Sequence, residues 1–222
     1  MNYNMGIFKK QSDIDKLTEA GRIVALVHRE LKQHIKPGVD LLTLDKIAYD
    51  IIKENDATPA FLGLYDFPNS ICASVNSTLV HGIPTSYKLQ EGDVLSVDVG
   101  VDYKGFKGDA AFTIGVGNIS DKDKLLLDCS KRALEAGIAA ATIGNTIGDI
   151  GSEIYRVIAS YGFSTPHQYS GHGIGKNIHE DPYVPNTGIA GQGEKLKEGM
   201  AICIEPMVID GTDDLFTDPI DE

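Results

Sequence analysis

Two histidines and two acidic residues occur close together in the segment SGHGIGKNIHEDPYVPN, which covers residues 170–186. The segment is too polar for a hydrophobic core, and its three glycines disfavour a helix. His172 and His179 are seven residues apart in it. Because an imidazole can bind a metal ion, transfer a proton or hydrogen bond to a substrate, this segment is the first candidate for a chemically active part of the chain.

Carboxylates occur at the ends of apolar runs that are typical of buried strands. Asp98 follows the apolar residues of VLSVD, and Glu205 ends AICIE. A charge in such a strand is unfavourable unless it is paired or coordinated. Asp109 follows Asp98 by eleven residues. The intervening Gly105 and Gly108 favour a hairpin that returns the chain beside Asp98.

These acidic residues and one histidine suit a divalent metal. Carboxylates that converge repel each other, and a divalent cation turns that repulsion into binding. His172 can add one nitrogen to this oxygen-rich set. A single buried aspartate is more often only a hydrogen-bond acceptor, so the prediction depends on Asp98, Asp109 and Glu205 occurring together. We read His28, His34 and His167 as structural residues.

The elements that must position these groups occur in two similar halves. The segment SDIDKLTEAGRIVALVHRELKQHI, with Ser12 as a candidate cap, and LTLDKIAYDIIKEN have helical apolar spacing and are separated by a Pro-Gly break. The pair DKDKLLLDCSKRALEAGIAAA and IGDIGSEIYRVIASYG repeats this order. LQEGDVLSVD also matches LKEGMAICIE at an offset of 107 residues. We therefore predict one α+β domain over residues 1–222, with duplicated halves at about 12–117 and 118–210.

Composition excludes several classes of protein. The chain has 222 residues, of which 42% are hydrophobic, and a formal net charge of −12, which disfavours nucleic acid and anionic membranes as ligands. No apolar run is long enough to span a membrane, and the start of the chain does not resemble a signal peptide. Three well-separated cysteines fit reduced thiols. We expect a cytoplasmic protein.

Taken together, the motifs resemble a known enzyme family. VDVGVDYKGFKGDAAFTIGVG, GHGIG, HEDP and IEPM, in this order and spacing, are similar to the type I methionine aminopeptidases of the bacterial kind. The resemblance covers about residues 7–210 and includes FPNSICASVNSTLVHGIP. It implies the pita-bread fold, with two pseudo-symmetric halves that each pack two helices on a shared antiparallel sheet. It also implies hydrolytic removal of the N-terminal methionine from nascent proteins and peptides at a dinuclear metal centre.

The resemblance assigns the metal ligands. It implies two divalent ions, which are cobalt, manganese, iron or zinc. Asp98 would chelate one ion, Asp109 would bridge both, and His172 and Glu205 would bind the other. Family members carry a fifth ligand, a glutamate in a Glu-His pair, near a tryptophan. This sequence contains neither, so we expect a weakly bound second metal and low activity in the 222-residue chain.

The resemblance also assigns catalytic and substrate-binding residues that are not ligands. His179 would hydrogen bond to the developing oxyanion, and His81 would hold the backbone after the scissile bond. Glu205 would act as the general base. The methionine side chain would bind against a set of apolar and sulfur-containing residues: Phe61, Leu64, Phe67, Cys72 and Ile178.

Two other functions compete with this one. The first is a pita-bread binding protein without turnover, which would not need four ligands and two catalytic histidines. The second is a proline-specific or creatinase-like peptidase, a group that usually carries a further N-terminal domain. For the favoured function we expect a monomer that acts on N-terminal methionine before a small second residue, with transient ribosome contact. Asp221 and Glu222 are the only candidates near the end of the chain for the vacant ligand position.

Overall fold

The helices and strands follow the order expected for two similar halves. The computed structural model describes residues 7–8, 10–212 and 214–216. Its helices are α1 (Gln11–His34), α2 (Leu41–Glu54), α3 (Asp121–Ala140) and α4 (Ile147–Ser160). Its strands are β1 (Thr58–Pro59), β2 (Ile71–Val75), β3 (Val94–Tyr103), β4 (Phe106–Gly115), β5 (Ser170–Gly173) and β6 (Glu180–Pro185). The predicted α+β class is confirmed, and no helix in the described residues is both long and apolar enough to cross a membrane.

The described residues divide into two compact units. The N-terminal unit contains residues 10–123 and 175–178, and the C-terminal unit contains the described parts of 1–9, 124–174 and 179–217. The short segment 175–178 therefore belongs to the N-terminal unit, although the chain on both sides of it belongs to the C-terminal one. Each unit has its own hydrophobic core.

The N-terminal unit is built on a four-stranded antiparallel sheet. The long strand β3 pairs with β4 along one edge and with β1 and β2 along the other. Because side chains alternate between the faces of a strand, residues 95, 97, 99 and 101 lie on one face. All four are apolar and fully buried. They form a core with α1 and α2, whose buried side chains include Ile23, Val27, Leu31, Leu44 and Ile52.

The two N-terminal helices begin differently. Asp40 caps α2, because its side chain accepts a hydrogen bond from the backbone N–H of Thr43 at 2.9 Å. The predicted cap of α1 is wrong: Lys10 occupies the cap position without a side-chain hydrogen bond, and Ser12 lies within the first turn. The buried apolar face of α1 stabilises the helix without such a cap.

The predicted hairpin between the two aspartates is confirmed, although one glycine has a different role. Lys104 and Gly105 form a two-residue turn in which both residues have positive φ, 52° and 81°. Gly108 lies within β4 instead. A Cβ atom there would lie 2.7 Å from the backbone of Ala20. Gly108 therefore allows α1 to pack closely against β4.

In the C-terminal unit α4 packs against β6, and α3 contributes to the same core. Thr146 and Asp149 form a capping box at the start of α4. The β5–β6 ladder is antiparallel, and its register shifts between His172 and Gly173. The core of the unit consists of small and branched side chains from these elements: Cys129, Ala133, Ile147, Ile150, Ile154, Ile158, Val184 and Leu196.

The apolar segment that ends at Glu205 is not a regular strand, and that prediction is wrong. The segment forms only an isolated antiparallel bridge between Ile202 and Gly173. Beside this bridge, the N–H of Cys203 donates to the carbonyl of His172 at 2.7 Å. The segment nevertheless runs alongside β5, as a strand in this position would.

His28 lies between α1 and β4. Its Nε2 is 2.9 Å from the carbonyl oxygen of Ala110, which can only accept, so Nε2 carries the proton. Its ring meets the edge of Phe112 at a centroid distance of 4.8 Å. Burial lowers the pKa of His28 to about 4 from its ordinary 6.5, because the charged form loses its hydration. His28 is therefore neutral in the folded protein at pH 7.

We predict that His28 makes the folded protein sensitive to acid. Above pH 6.5 the ring is neutral in both states and has no effect. As the pH falls towards 4, only the unfolded state gains the proton, so the free energy of unfolding decreases by about 2 kcal/mol at pH 5. Replacing His28 with Gln keeps a donor to Ala110 and removes the titration.

Urea unfolding at pH 7.5 and pH 5 tests this prediction. The wild-type protein should lose about 2 kcal/mol more than His28→Gln between the two pH values. The matched control is His34→Gln, since His34 is on the same helix and its side chain is 44% exposed. Equal losses in wild type and His28→Gln would contradict the prediction.

Candidate metal centre

The two aspartates of the N-terminal unit lie on one face of its sheet. In the pairing of β3 with β4, Asp98 is opposite Ala111 and Asp109 is opposite Gly100. Residues 98 and 100 point to the same face because side chains alternate. Asp98 and Asp109 are therefore diagonal neighbours on that face, where Cβ atoms are roughly 7–8 Å apart or less. The structure thus brings this predicted pair of ligands together.

This face of the sheet is polar, in contrast to the apolar face that packs on the helices. Ser96 and Thr113 hydrogen bond to each other on it at 2.8 Å. Cys72 pairs with Asp98 on the neighbouring strand. Burial, and then the negative charges of Asp98 and Asp109, raise the pKa of the Cys72 thiol. Cys72 is therefore a neutral, sulfur-containing residue beside the two carboxylates.

Two further predicted pocket residues can be located relative to this face. A Cβ atom at Gly100 would lie 2.6 Å from the ring of Phe61, so the buried phenyl ring covers the carboxylate face at that point. Leu64 and Phe67 follow in the same loop, both half-buried, and the N–H of Phe67 donates to the carbonyl of Leu64 at 2.9 Å. The remaining predicted pocket residue, Ile178, is buried in the N-terminal unit.

An aspartate that the sequence analysis missed anchors this loop. Asp45, on α2, accepts hydrogen bonds from the backbone N–H groups of Ser70 at 2.8 Å and Ile71 at 3.1 Å. Its other oxygen accepts from the side chain of Asn69 at 2.9 Å. These bonds fix the point at which the loop enters β2, directly before Cys72. No local pattern links residue 45 to residues 69–71, so the sequence carried no signal of this contact.

The predicted catalytic His81 has a strained backbone and is exposed. Its φ of 59° is in the left-handed region, which is uncommon for a residue with a side chain. The following Gly82 lies against β2, where its carbonyl accepts from Ala73 at 2.8 Å and its N–H donates to the hydroxyl of Ser74 at 3.1 Å. Strain of this kind is common at functional sites. His81 is thus held beside the N-terminal sheet with its ring exposed.

In the C-terminal unit, the two histidines of the opening segment lie against each other. The ring centroids of His172 and His179 are 4.5 Å apart, and the rings are nearly perpendicular. His172 is buried, whereas His179 is exposed. Gly171 and Gly173 are needed for close backbone approach rather than for a sharp turn, since a Cβ atom at either would lie within 2.3 Å of a carbonyl oxygen.

The buried histidine faces a glutamate oxygen. Nδ1 of His172 is 2.9 Å from the carbonyl oxygen of Gly173, so this nitrogen donates. Nε2, on the other side of the ring, is 3.0 Å from Oε1 of Glu205. That oxygen is buried and accepts no hydrogen bond of acceptable geometry from the described residues. In the neutral ring, the proton on Nδ1 leaves Nε2 as an acceptor that faces the carboxylate oxygen.

A cation resolves this arrangement. Two acceptors at 3.0 Å repel each other, and a buried carboxylate oxygen without a partner is costly. A divalent ion bound by Nε2 and Oε1 removes both penalties. The hydrogen bond to Gly173 places the proton of the neutral ring on Nδ1, so Nε2 is the nitrogen that can bind a metal. These donors fit a divalent metal.

A second residue outside the predicted set positions Glu205. The side chain of Asn186, which is 2% exposed, donates from Nδ2 to the backbone carbonyl of Glu205 at 2.8 Å. Asn186 is the last residue of the opening segment. The sequence did not indicate the partner of this asparagine, which is 19 residues away.

The predicted ligands thus form two pairs, one in each unit. Asp98 and Asp109 are neighbours in the N-terminal unit, and His172 and Glu205 are in contact in the C-terminal unit. The other candidates for a ligand position, Asp221 and Glu222, lie outside the described residues. One pair offers two carboxylates, and the other offers a carboxylate and an imidazole. Both donor sets suit divalent ions.

Comparisons with known proteins agree with this chemistry. The sequence profile of metallopeptidase family M24 matches residues 15–216. Methionine aminopeptidase 1 of Bacillus subtilis is 46% identical over 208 residues, which are 94% of this chain and 84% of that protein. The crystal structure of methionine aminopeptidase from Rickettsia prowazekii has a TM-score of 0.95 at 34% identity, covering 98% of this chain and 88% of that one.

A prolidase from Pyrococcus furiosus is similar too, with a TM-score of 0.79 at 26% identity, but only 57% of its chain is covered. The observed α+β architecture is accordingly the pita-bread fold, as the sequence motifs implied. The family profile spans both pairs of predicted ligands. The chain belongs to metallopeptidase family M24.

Proposed function

We propose that this protein is a metallo-aminopeptidase that removes the N-terminal methionine from proteins and peptides by hydrolysis. The observation that carries the proposal is the buried contact between Nε2 of His172 and Oε1 of Glu205, which fits a divalent cation. This chain covers most of the length of the relatives that are named methionine aminopeptidase. Family membership adds that the cation serves a peptidase.

We assign the role of metal ligand to the residues of both pairs. Asp98 and Asp109 contribute carboxylates from the N-terminal unit, and His172 and Glu205 contribute from the C-terminal unit. Together they bind two divalent ions, which are cobalt, manganese, iron or zinc. When bound, such ions polarise the scissile carbonyl and make water a competent nucleophile near neutral pH. Every other step depends on side chains of this chain.

Glu205, His179 and His81 have separate roles in the reaction. Glu205 accepts the proton of the attacking water and passes it to the departing amine, a role that its buried oxygen without a hydrogen-bond donor can fill. His179, exposed beside His172, donates to the oxyanion that develops on the scissile carbonyl. His81 hydrogen bonds to the substrate backbone after the scissile bond. Its strained and exposed position supports that role.

The pocket for the methionine side chain is formed by apolar groups and one neutral sulfur. Phe61 and Cys72 lie on the carboxylate face of the N-terminal sheet. Because burial and the aspartates keep the Cys72 thiol protonated, with its pKa raised, it lines the pocket as an uncharged, polarisable group. Such a lining suits a thioether. Leu64, Phe67 and Ile178 complete the proposed set.

The competing functions have less support. A proline-specific peptidase would share the ligands, but the prolidase is 26% identical to this chain, compared with 46% for the methionine aminopeptidase of Bacillus subtilis. A binding protein without turnover would not need the strained His81 or the buried oxygen of Glu205. We further propose that the protein acts in the cytoplasm as a monomer, on nascent chains with a small second residue and in transient contact with the ribosome.

The first prediction is metal-dependent release of methionine. The protein should release methionine from Met-Ala-Ser at the low rate expected above for the 222-residue chain, and chelation should abolish the release, because the water nucleophile requires the metal. Free methionine is measured while divalent metal is added until turnover no longer increases. Leu-Ala-Ser and Ala-Pro are matched control substrates that should be cleaved poorly. Undiminished turnover after complete metal removal, or a preference for Ala-Pro over Met-Ala-Ser, would contradict the proposal.

The second prediction separates the two histidines by role. His172→Ala should lower the amount of bound metal, since it removes a ligand. His179→Ala should retain the metal and lower kcat by about 10²- to 10³-fold, which is typical of a lost oxyanion contact. Metal content is measured on the purified proteins beside peptide turnover. His34→Ala is the control for a histidine outside the site, and equal metal loss in both variants would show that the roles are wrong.

A further inference from the structure

Cys203 projects to the same side of its segment as Glu205. The intervening residues face the other way: Ile202 and Ile204 pack against the core of the C-terminal unit, and Ile204 lies close to Gly137 of α3. Because side chains alternate along an extended chain, residues 203 and 205 point away from that core. They therefore lie on the side of the segment that carries the proposed metal ligand.

The sulfur of Cys203 is close to the imidazole of His172. Its Sγ and a ring nitrogen of His172 lie within 4.8 Å of each other. The backbone holds the two residues in place, since the N–H of Cys203 donates to the carbonyl of His172 at 2.7 Å. The imidazole of His172 thus has two neighbours in the C-terminal unit: the sulfur of Cys203 and, 3.0 Å from Nε2, the carboxylate oxygen of Glu205.

The surroundings of this cysteine differ from those of a core thiol. The sequence predicted three buried, reduced cysteines, and Cys129 fits that description because it is fully buried in the core of the unit. Cys203 is only half-buried. It also lies close to the ring of His172, which faces the buried carboxylate oxygen of Glu205. A cation held by the imidazole of His172 therefore has this sulfur nearby.

We propose that Cys203 is a further metal-binding residue, whose thiolate binds the divalent ion held by His172 and Glu205. On binding, the thiol releases its proton to solvent and the sulfur forms the bond to the metal. A soft sulfur ligand favours zinc, cobalt and iron over manganese and magnesium. The site is thereby selective among the metals that an oxygen-rich centre would accept. This inference rests on the metal binding assigned under the proposed function.

Cobalt(II) spectroscopy tests the sulfur bond apart from catalysis. Cobalt is titrated into the metal-free protein, and its visible d–d bands report how much is bound. The wild-type protein and the control Cys129→Ala should also show an ultraviolet sulfur-to-cobalt charge-transfer band. Cys203→Ser should bind cobalt without that band. Its preference for zinc over manganese should fall about tenfold or more, because the soft ligand is lost.

A second measurement uses the unaltered protein. The metal-free protein is alkylated with iodoacetamide, and the rate at Cys203 is followed by peptide mass spectrometry. Bound cobalt should slow that rate about tenfold or more, because a coordinated sulfur is no longer a free nucleophile. The slowing should be absent at Cys129.

Three outcomes decide the inference. A charge-transfer band that disappears only in Cys203→Ser, together with metal protection of Cys203, supports it. Visible d–d bands without a charge-transfer band in the wild-type protein, or alkylation at an equal rate with and without cobalt, overturn it and leave the proposed function intact. Absence of any bound cobalt overturns both this inference and the proposed metal centre.

Discussion

The contact between Nε2 of His172 and Oε1 of Glu205 is the constraint on which the C-terminal unit depends. Nε2 and Oε1 lie 3.0 Å apart in a buried position, and a divalent cation bound by both atoms stabilises the arrangement. The chain keeps them there by hydrogen bonds to the backbone: His172 donates to Gly173, and Asn186 donates to Glu205. Gly171 has no side chain, which lets the segment of Glu205 approach β5 closely.

In the N-terminal unit, two carboxylates must be placed together outside the hydrophobic core. A sheet with one apolar face and one polar face does this. One face consists of fully buried apolar residues on α1 and α2, so it fixes the register of β3. The register then places Asp98 and Asp109 together on the opposite, polar face. A slip of β3 by one residue would direct Asp98 into the core and separate it from Asp109. The hydrophobic core of this unit therefore positions its ligands, although it contacts no substrate.

Features with a local pattern could be predicted, and features that depend on contacts between distant segments could not. The helical spacing of apolar residues predicted the four helices. An apolar strand followed by glycines predicted the hairpin between Asp98 and Asp109. The sequence could not show that Asp45 binds the backbone at residues 69–71, or that Gly108 serves helix packing. The segment before Glu205 forms an isolated bridge instead of the expected regular strand, because its pairing depends on the distant strand β5, which the local pattern does not specify.

Nitrogen NMR of isotope-labelled histidine in the metal-loaded protein tests the central claim most directly. The account predicts that His172 keeps a proton on Nδ1, where it donates to Gly173. It also predicts that the Nε2 signal changes on adding zinc and that Glu205→Gln weakens zinc binding. The account would be contradicted if Nε2 carried a proton in the presence of saturating zinc and its signal stayed the same with and without the metal.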